Sequence, residues 1–577
     1  MSAAAETGSD ALLAGLAAAG VAVVFANLGS DHPGIIESLA RARTAGEPTP
    51  AVILAPHEAS AIAAAHGYAL ASGRAPAVFV HVDVGTANLG SGVHNAARAH
   101  VPVLVFAGLT PYTLEGELAG TRNSYPNHLQ EVRDQHALLA PYTKWSYDLR
   151  TGANARQVVL RAMQIANSAP QGPVYLTAAR EVLAAPAAGR VVDPGLWRPV
   201  QPVPAPAAVV DEIVAAVAGA RFPVIVTSGY GREPASVAPL VDLAETLGIG
   251  VVQAVPAAMG FPADHELHLG YSAAEALARA DVVIVIDSEA PWMPALNAPQ
   301  PEAAVYLVDA DPLKVDMPLW YLESQCFVRA DPPTFVNQLR AAVQGVDPGD
   351  VAARRKAIAE LHGVQRARWE AERASERLTV PVVAAAIAAA VDDDTIVLNE
   401  AISNAETVFR HLPRTKPGTL LASGGSSLGW FGGAAVGVKL ARPDAQVVAV
   451  VGDGTFFLSS PASSYWMAER YGTPYLTVVL DNGGWNATKR NVDRQYPGGA
   501  ADSLQHFWVD LGQSADLGGV AAAAGGAVSS VVTEVSELAP TLAAALAAVG
   551  GGRSAVVRVV LERISDETAD HPAGPAV

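Results

Sequence analysis

The apolar run Val447-Val448-Ala449-Val450-Val451 ends in Gly452-Asp453-Gly454, and Asp481-Asn482-Gly483-Gly484-Trp485 follows farther along the chain. These residue types suit a divalent cation held together with a bulky anion. A buried strand carries Asp453 to its C-terminal edge, and the flanking glycines let backbone approach the anion closely. The next strand brings Asn482, 29 positions after Asp453, to the neighbouring edge. The Asp453 carboxylate, the Asn482 amide oxygen and the Gly484 carbonyl are hard oxygen ligands. They are few enough to leave places for anion oxygens and water, as Mg²⁺ prefers. A helix starting after Gly454 is expected to point backbone N–H groups, Thr455 first, at the same anion. Gly-Asp-Gly alone also serves ordinary turns, so the distant Asn482 decides the reading.

A second set of candidates lies upstream. In Ala55-Pro56-His57-Glu58-Ala59 a strand ends and an Ala-rich helix begins. Taken alone, Glu58 is a first-turn acid favoured by the helix dipole by about 0.3–1 kcal/mol. His81 opens His81-Val82-Asp83-Val84-Gly85-Thr86-Ala87-Asn88 at another strand end, and imidazole titrates near neutrality, as proton transfer requires. His57 and His94 read first as hydrogen-bonded structural residues. Lys489 and Arg490 read first as a solvated basic patch, and second as contacts for a substrate carboxylate or a CoA phosphate.

Parallel sheets are the elements that position such residues. The chain has 577 residues, too many for one core, which argues for about three domains. Half the residues are apolar and 16% are charged, a globular composition with disorder expected only at the two ends. Apolar runs separated by helical stretches predict strands at Val21–Ala26, Ala51–Leu54, Ala77–Val80, Val103–Ala107 and Val174–Leu176. A second group is predicted at Val224–Thr227, Gly250–Ala254, Val282–Ile286 and Ala304–Val308, and a third at Thr395–Leu398, Gln446–Val451, Tyr475–Leu480 and Ala555–Val560. The pattern is that of parallel sheets covered on both faces. The expected units are 1–185, a Pro-rich linker 186–208, 209–345, a connector 346–380 and 381–577. Within the connector, the charged stretch Arg354 to Arg377 reads as a solvated helix.

The formal charge of −18 disfavours nucleic acid and anionic membrane as partners. The uncharged run Ala11 to Leu28 is expected to be neither a signal nor a membrane segment, because Glu6 and Asp10 precede it and Gly20 splits it. It predicts a helix from Ser9 to Ala19, a Gly cap and a strand. Cys326 is the sole cysteine, a small buried hydrophobe by expectation. No intrachain disulfide can form, which suits a cytoplasmic protein.

The two sets of motifs together resemble the thiamine diphosphate enzymes, in which Gly-Asp-Gly is followed after about 30 residues by an Asn-Asn pair. Here Asp481 stands for the first Asn. The resemblance covers nearly the whole chain and implies an α/β fold of three consecutive parallel-sheet domains: pyrimidine-binding, central and diphosphate-binding. Within the group of acetolactate synthases, benzoylformate decarboxylases and 2-hydroxyacyl-CoA lyases, the motifs are most similar to benzoylformate decarboxylase. Val24-Phe25-Ala26-Asn27-Leu28-Gly29-Ser30 places Ser30 at its substrate-contacting serine, and the His81 segment places His81 at its acid/base position. The same resemblance puts Glu58 at the activating glutamate, Glu400 and Leu428 against the cofactor, and Trp485 beside the substrate. Leu428 matches the bulky residue over which the cofactor bends. No counterpart of the second, central-domain histidine is found; His265 and His268 are the only histidines between Arg190 and Lys356.

The resemblance implies thiamine diphosphate and Mg²⁺ as cofactors, with Glu58 activating the cofactor and its ring serving as electron sink while a bond next to a carbonyl is made or broken. The expected substrate is a 2-oxo acid, an aldehyde or ketone, or an acyl-CoA. A homodimer or homotetramer follows from the same source. A benzoylformate decarboxylase-like decarboxylase and carboligase is the first reading, a 2-hydroxyacyl-CoA lyase the second and an acetolactate synthase the third. A catalytically silent thiamine diphosphate-binding protein is the reading from another class, and the joint presence of Glu58, Asp453 and Asn482 argues against it.

Overall fold

The computed structural model describes residues 6–187 and 190–565. The remainder, which includes the two expected disordered ends and positions 188–189 of the expected linker, lies outside the described residues.

Three wholly parallel sheets follow one another along the chain. The first contains β1 (Val23–Ala26), β2 (Ala51–Leu54), β3 (Ala77–Val80), β4 (Leu104–Leu109), β5 (Trp145–Asp148) and β6 (Val174–Ala179), in the order β2-β1-β3-β4-β6-β5. The second contains β7 (Pro223–Thr227), β8 (Gly250–Gln253), β9 (Val282–Ile286), β10 (Ala304–Asp309) and β11 (Cys326–Arg329), in the order β11-β10-β9-β7-β8. The third contains β12 (Ile396–Glu400), β13 (Leu420–Leu421), β14 (Val447–Gly452), β15 (Leu476–Asp481), β16 (Val528–Val532) and β17 (Ala555–Val560), in the order β13-β12-β14-β15-β17-β16. Each sheet has an interior point where its strand order reverses: between β1 and β3, between β7 and β9, and between β12 and β14. Such points open a crevice at the carboxyl ends of the strands.

Every strand expected from an apolar run is present. β5, β11, β13 and β16 were not expected, and all four lie at sheet edges. β16 reads Val-Ser-Ser-Val-Val with alternating exposure, and β13 is only two residues long, so neither offers an apolar run of strand length. Cys326 sits on edge strand β11 and is half-buried, not buried as expected.

The helix α1 (Gly8–Ala18) opens with a capping box between Thr7 and Asp10, and Gly20 in the left-handed region turns the chain into β1. α2 (Pro33–Ala45) follows β1, α3 (Glu58–Ser72) follows β2 and α4 (Val82–Arg98) follows β3. The connector helix Val351–Glu372 is not merely solvated: Arg354, Ile358, Leu361, Gln365 and Trp369 are buried. The Arg354 guanidinium donates to the carbonyls of Val217 and Pro348, so its charge is spent on tying the connector to the central unit.

The first and third units share one apolar core, from Phe25 and Ile62 to Phe431 and Val447. The join is α3 against the helix Trp430–Ala441. A Cβ on Gly67 would lie 2.3 Å from the Ala434 carbonyl oxygen, and one on Gly437 would lie 1.9 Å from the Ala64 carbonyl oxygen. Only glycine permits this backbone approach. Among the described residues no helix is long and apolar enough to cross a membrane.

Candidate active site

Buried strand β14 delivers Asp453 to the crevice beside β12. The following helix, Asp453–Leu458, starts at Asp453 and not after Gly454 as expected, because Gly452 in extended conformation serves as its N-cap. Asp453 is buried and its Oδ2 has no hydrogen-bond partner. Burial first, and the neighbouring Asp481 carboxylate second, hold its pKa above the ordinary carboxylate range. Asp481 is itself paired: Arg558 Nε on β17 lies 2.6 Å from its Oδ2, and its Oδ1 accepts the Gly483 N–H at 3.0 Å. The acid at this position, where the family pattern has Asn, therefore comes with its own cation.

Asn482 is buried at the end of β15, and its Oδ1 accepts the Gly484 N–H at 3.3 Å. The Gly484 carbonyl accepts from Asn486 N–H at 3.0 Å. Each oxygen keeps a second lone pair for a cation. Thr455 is buried in the short helix. Trp485 covers the turn: a Cβ on Gly454 would lie 2.3 Å from Trp485 Cζ3. An orphaned carboxylate oxygen, an amide oxygen and a glycine cradle under an indole fit a hard divalent cation and a diphosphate.

Leu428 is half-buried and precedes Gly429, whose φ of 93° places it in the left-handed region. A Cβ there would meet the Leu458 carbonyl oxygen at 2.3 Å, so the turn depends on glycine. Glu400, at the end of β12, is bonded to backbone through both carboxylate oxygens. Its Oε1 accepts from Trp430 N–H at 3.1 Å and its Oε2 from Phe431 N–H at 2.9 Å. Burial pushes its pKa up to about 8, against the opposing pull of those N–H groups. Glu400 thus fixes the start of the helix that follows Leu428.

In the first unit, Glu58 is the first residue of α3 and is buried. Its Oε2 accepts from Asn88 Nδ2 at 3.0 Å, and its Oε1 would lie 3.3 Å from a Cβ on Gly85. His81 is the N-cap residue of α4. Its Nδ1 lies 2.5 Å from Asp31 Oδ1, and its Nε2 lies 3.0 Å from Gln130 Nε2. The Asp31 hydrogen bond raises the His81 pKa above its ordinary value, and partial burial opposes the rise. Asp31 and His81 follow β1 and β3, which flank the switch point. Ser30 is exposed on the turn before Asp31. Asp31, Asn88 and Gln130 were not among the sequence candidates. Asp31 adjoins the Gly29-Ser30 turn, which was a usable signal; Gln130 lies 49 positions from His81 and offers none.

Residues 6–138, 210–339 and 402–559 match the N-terminal binding, central and C-terminal binding domains of thiamine pyrophosphate enzymes, in that order along the chain. The chain belongs to the thiamine pyrophosphate enzyme family. It is 27% identical to benzoylformate decarboxylase of Pseudomonas aeruginosa over 459 residues, 76% of this chain and 80% of that protein. It is 26% identical to the acetolactate synthase large subunit of Lactococcus lactis subsp. lactis over 450 residues, 74% of this chain and 73% of that protein. The thiamine diphosphate-dependent 4-hydroxybenzoylformate decarboxylase of Rhodococcus jostii RHA1 superposes with a TM-score of 0.76 at 22% identity, covering 97% of this chain and 99% of that one, which establishes the shared fold. The homologues are decarboxylases and carboligases, and this chain is an enzyme of carbon–carbon bond cleavage or formation.

The other polar candidates of this thiamine pyrophosphate enzyme have structural partners. His57 caps α3 by accepting the Ala59 N–H. His94 packs edge-on against Tyr142. His268 is buried and its Nε2 meets Gln253 Nε2, while His265 meets Glu245. Lys489 lies over the Phe507 ring at 4.9 Å, and Arg490, exposed to solvent, donates to the Ser403 carbonyl.

Proposed function

We propose that this enzyme is a benzoylformate decarboxylase-like 2-oxo acid decarboxylase with carboligase ability, using thiamine diphosphate and Mg²⁺. The observation that carries the reading is that one helix serves both candidate groups. His81 is the N-cap residue of α4, and Asn88, seven positions later within that helix, donates to the Glu58 carboxylate.

When bound, thiamine diphosphate would supply the nucleophilic carbon and the electron sink. Asp453, Asn482 and Gly484 would hold Mg²⁺ and, through it, the diphosphate. Gly452, Gly454 and Thr455 would supply close backbone, with Trp485 excluding water above them. Leu428, on the turn that Glu400 fixes, would support the ring system. Glu58 would hydrogen-bond the aminopyrimidine and keep its proton equilibrium on the reactive side. His81 would exchange a proton with the substrate at Nε2, and Ser30 would contact the substrate carboxylate. A homodimer or homotetramer is the proposed assembly, with Glu58 of one copy serving the cofactor bound by another.

A substrate panel with purified protein, thiamine diphosphate and Mg²⁺ tests this reading: benzoylformate, pyruvate, and formyl-CoA with an aldehyde. Decarboxylation of benzoylformate that vanishes in Glu58→Ala supports it. Acetolactate from pyruvate, or turnover only with the CoA thioester, would replace it with the synthase or the lyase.

A further inference from the structure

We propose that Asp31 is a positioning residue for His81, holding the imidazole in the orientation and tautomer that make Nε2–H the proton donor of the cleft. The proposal rests on the reading above that His81 transfers protons. Asp31 is 3% exposed, and its two oxygens are divided between the ring and the backbone at its base. Oδ1 lies 2.5 Å from His81 Nδ1, and Oδ2 accepts the Val82 N–H at 3.2 Å. The carboxylate thus grips both the imidazole and the first residue of the helix it caps.

The surroundings leave little freedom. A Cβ on Gly29 would lie 2.2 Å from the His81 ring, and a Cβ on Gly108 would lie 2.0 Å from Asp31 Oδ2. Ring and carboxylate are therefore wedged between two glycines, and any side chain at either position would displace them.

Two titratable groups and one amide face the pair. His32 Nδ1 lies 2.8 Å from Asp31 Oδ1, yet it also accepts the Gly29 N–H at 3.0 Å. A backbone N–H has no alternative protonation state, so His32 Nδ1 is the acceptor there and carries no proton for Asp31. That leaves His81 as the imidazole donor to Asp31. Asp83, on α4, adds a buried carboxylate with an unpartnered oxygen, which also favours a charged imidazole. At the far end of the ring, Gln130 presents Nε2 to His81 Nε2 while its own Oε1 is buried without a partner. Amide orientation is assigned from such partners. Turning the amide over pairs Oε1 with Nε2–H, and the doubly protonated ring is then satisfied at both ends.

In the proton step, His81 Nε2 gives its proton to the substrate atom that has become negatively charged. The imidazolium becomes neutral imidazole and keeps its Nδ1–H on Asp31, and water returns the proton to Nε2. Each turnover consumes one proton from solvent and leaves Asp31 ionised throughout.

The test is an NMR titration of ¹³C-histidine-labelled full-length protein without ligand, with His81→Gln for assignment, combined with pH–rate profiles on benzoylformate. In the wild type the His81 midpoint is expected above the ordinary imidazole value of about 6.5. In Asp31→Asn it moves to lower pH, the alkaline limb of kcat moves with it, kcat falls about 10- to 100-fold, and KM stays within about twofold. A wild-type midpoint at or below the ordinary value overturns the proposal, and so does an Asp31→Asn protein with unchanged midpoint and profile. The wild-type titration decides the matter even where the variant does not fold. Loss of thiamine diphosphate binding or of benzoylformate turnover in the wild type would defeat the functional reading alone, since the ligand-free titration still reports whether Asp31 governs His81.

Discussion

Asn88 Nδ2 donates to Glu58 Oε2 at 3.0 Å, so the carboxylate that opens α3 is oriented by the helix that His81 caps. Removing the amide should leave Glu58 in place but free to rotate. Asn88→Leu is expected to lower kcat about 10-fold, while Glu58→Gln lowers it by about 100-fold or more, within the range of general acid–base catalysis. Steady-state rates and thiamine diphosphate affinity by calorimetry check this. Equal losses in the two variants would show that Asn88 does more than orient Glu58.

The indole of Trp485 rests on Gly454, with 2.3 Å between its Cζ3 and a Cβ added there. Gly454→Ala must push the ring away or shift the short helix. Overpacking of this kind costs about 1–3 kcal/mol. The expected result is a modest fall in unfolding free energy in urea and a much larger fall in thiamine diphosphate affinity. Adding Trp485→Ala should restore stability without restoring affinity.

Asp453 gives a pH dependence with a definite sign. Burial and then Asp481 raise its pKa in the folded chain. Between the ordinary carboxylate value and the raised one, the folded state binds more protons than the unfolded state, so the cofactor-free protein loses stability as pH rises through that window. A cation on Asp453 relieves this penalty. Mg²⁺ with diphosphate is therefore expected to raise Tm more at about pH 8 than at about pH 5.5. Scanning calorimetry at the two pH values checks it, and Asp453→Asn should abolish the difference.

Glu400 accepts from two backbone N–H groups at the start of the Trp430–Ala441 helix. Glu400→Ala leaves both donors buried and unpaired, at about 1–3 kcal/mol each. Glu400→Gln keeps one acceptor oxygen and should lose about half as much. Urea unfolding of the two variants measures the ratio, and equal losses would place the importance of Glu400 elsewhere.

Legibility differed by kind of residue. The central strands were readable because strands buried on both faces must be continuously apolar, as in Val282–Ile286 and Ala555–Val560. The edge strands β5, β11 and β16 were not, since they mix polar residues into half-covered strands, and β13 was not because it is only the pair Leu420-Leu421. Asp453 and Asn482 were readable because they end neighbouring strands at a fixed spacing. The contacts of Glu400 with the Trp430 and Phe431 N–H groups were not readable, because which donors reach a carboxylate is a matter of packing. Arg354 was misjudged for the same reason, its charge being buried against the Val217 and Pro348 carbonyls.

By itself the sequence determined the three parallel sheets and the placing of Asp453, Asn482, Glu58 and His81 at strand ends. These depend on local periodicity, on glycine at turns and on spacing within one strand–helix–strand unit. Only the tertiary structure decided the pairs Asp31–His81, Glu58–Asn88, Asp481–Arg558 and Gly454–Trp485. Each joins residues from 30 to 77 positions apart, and such meetings are set by strand order and by how closely two backbones pack, neither of which leaves a mark in local sequence.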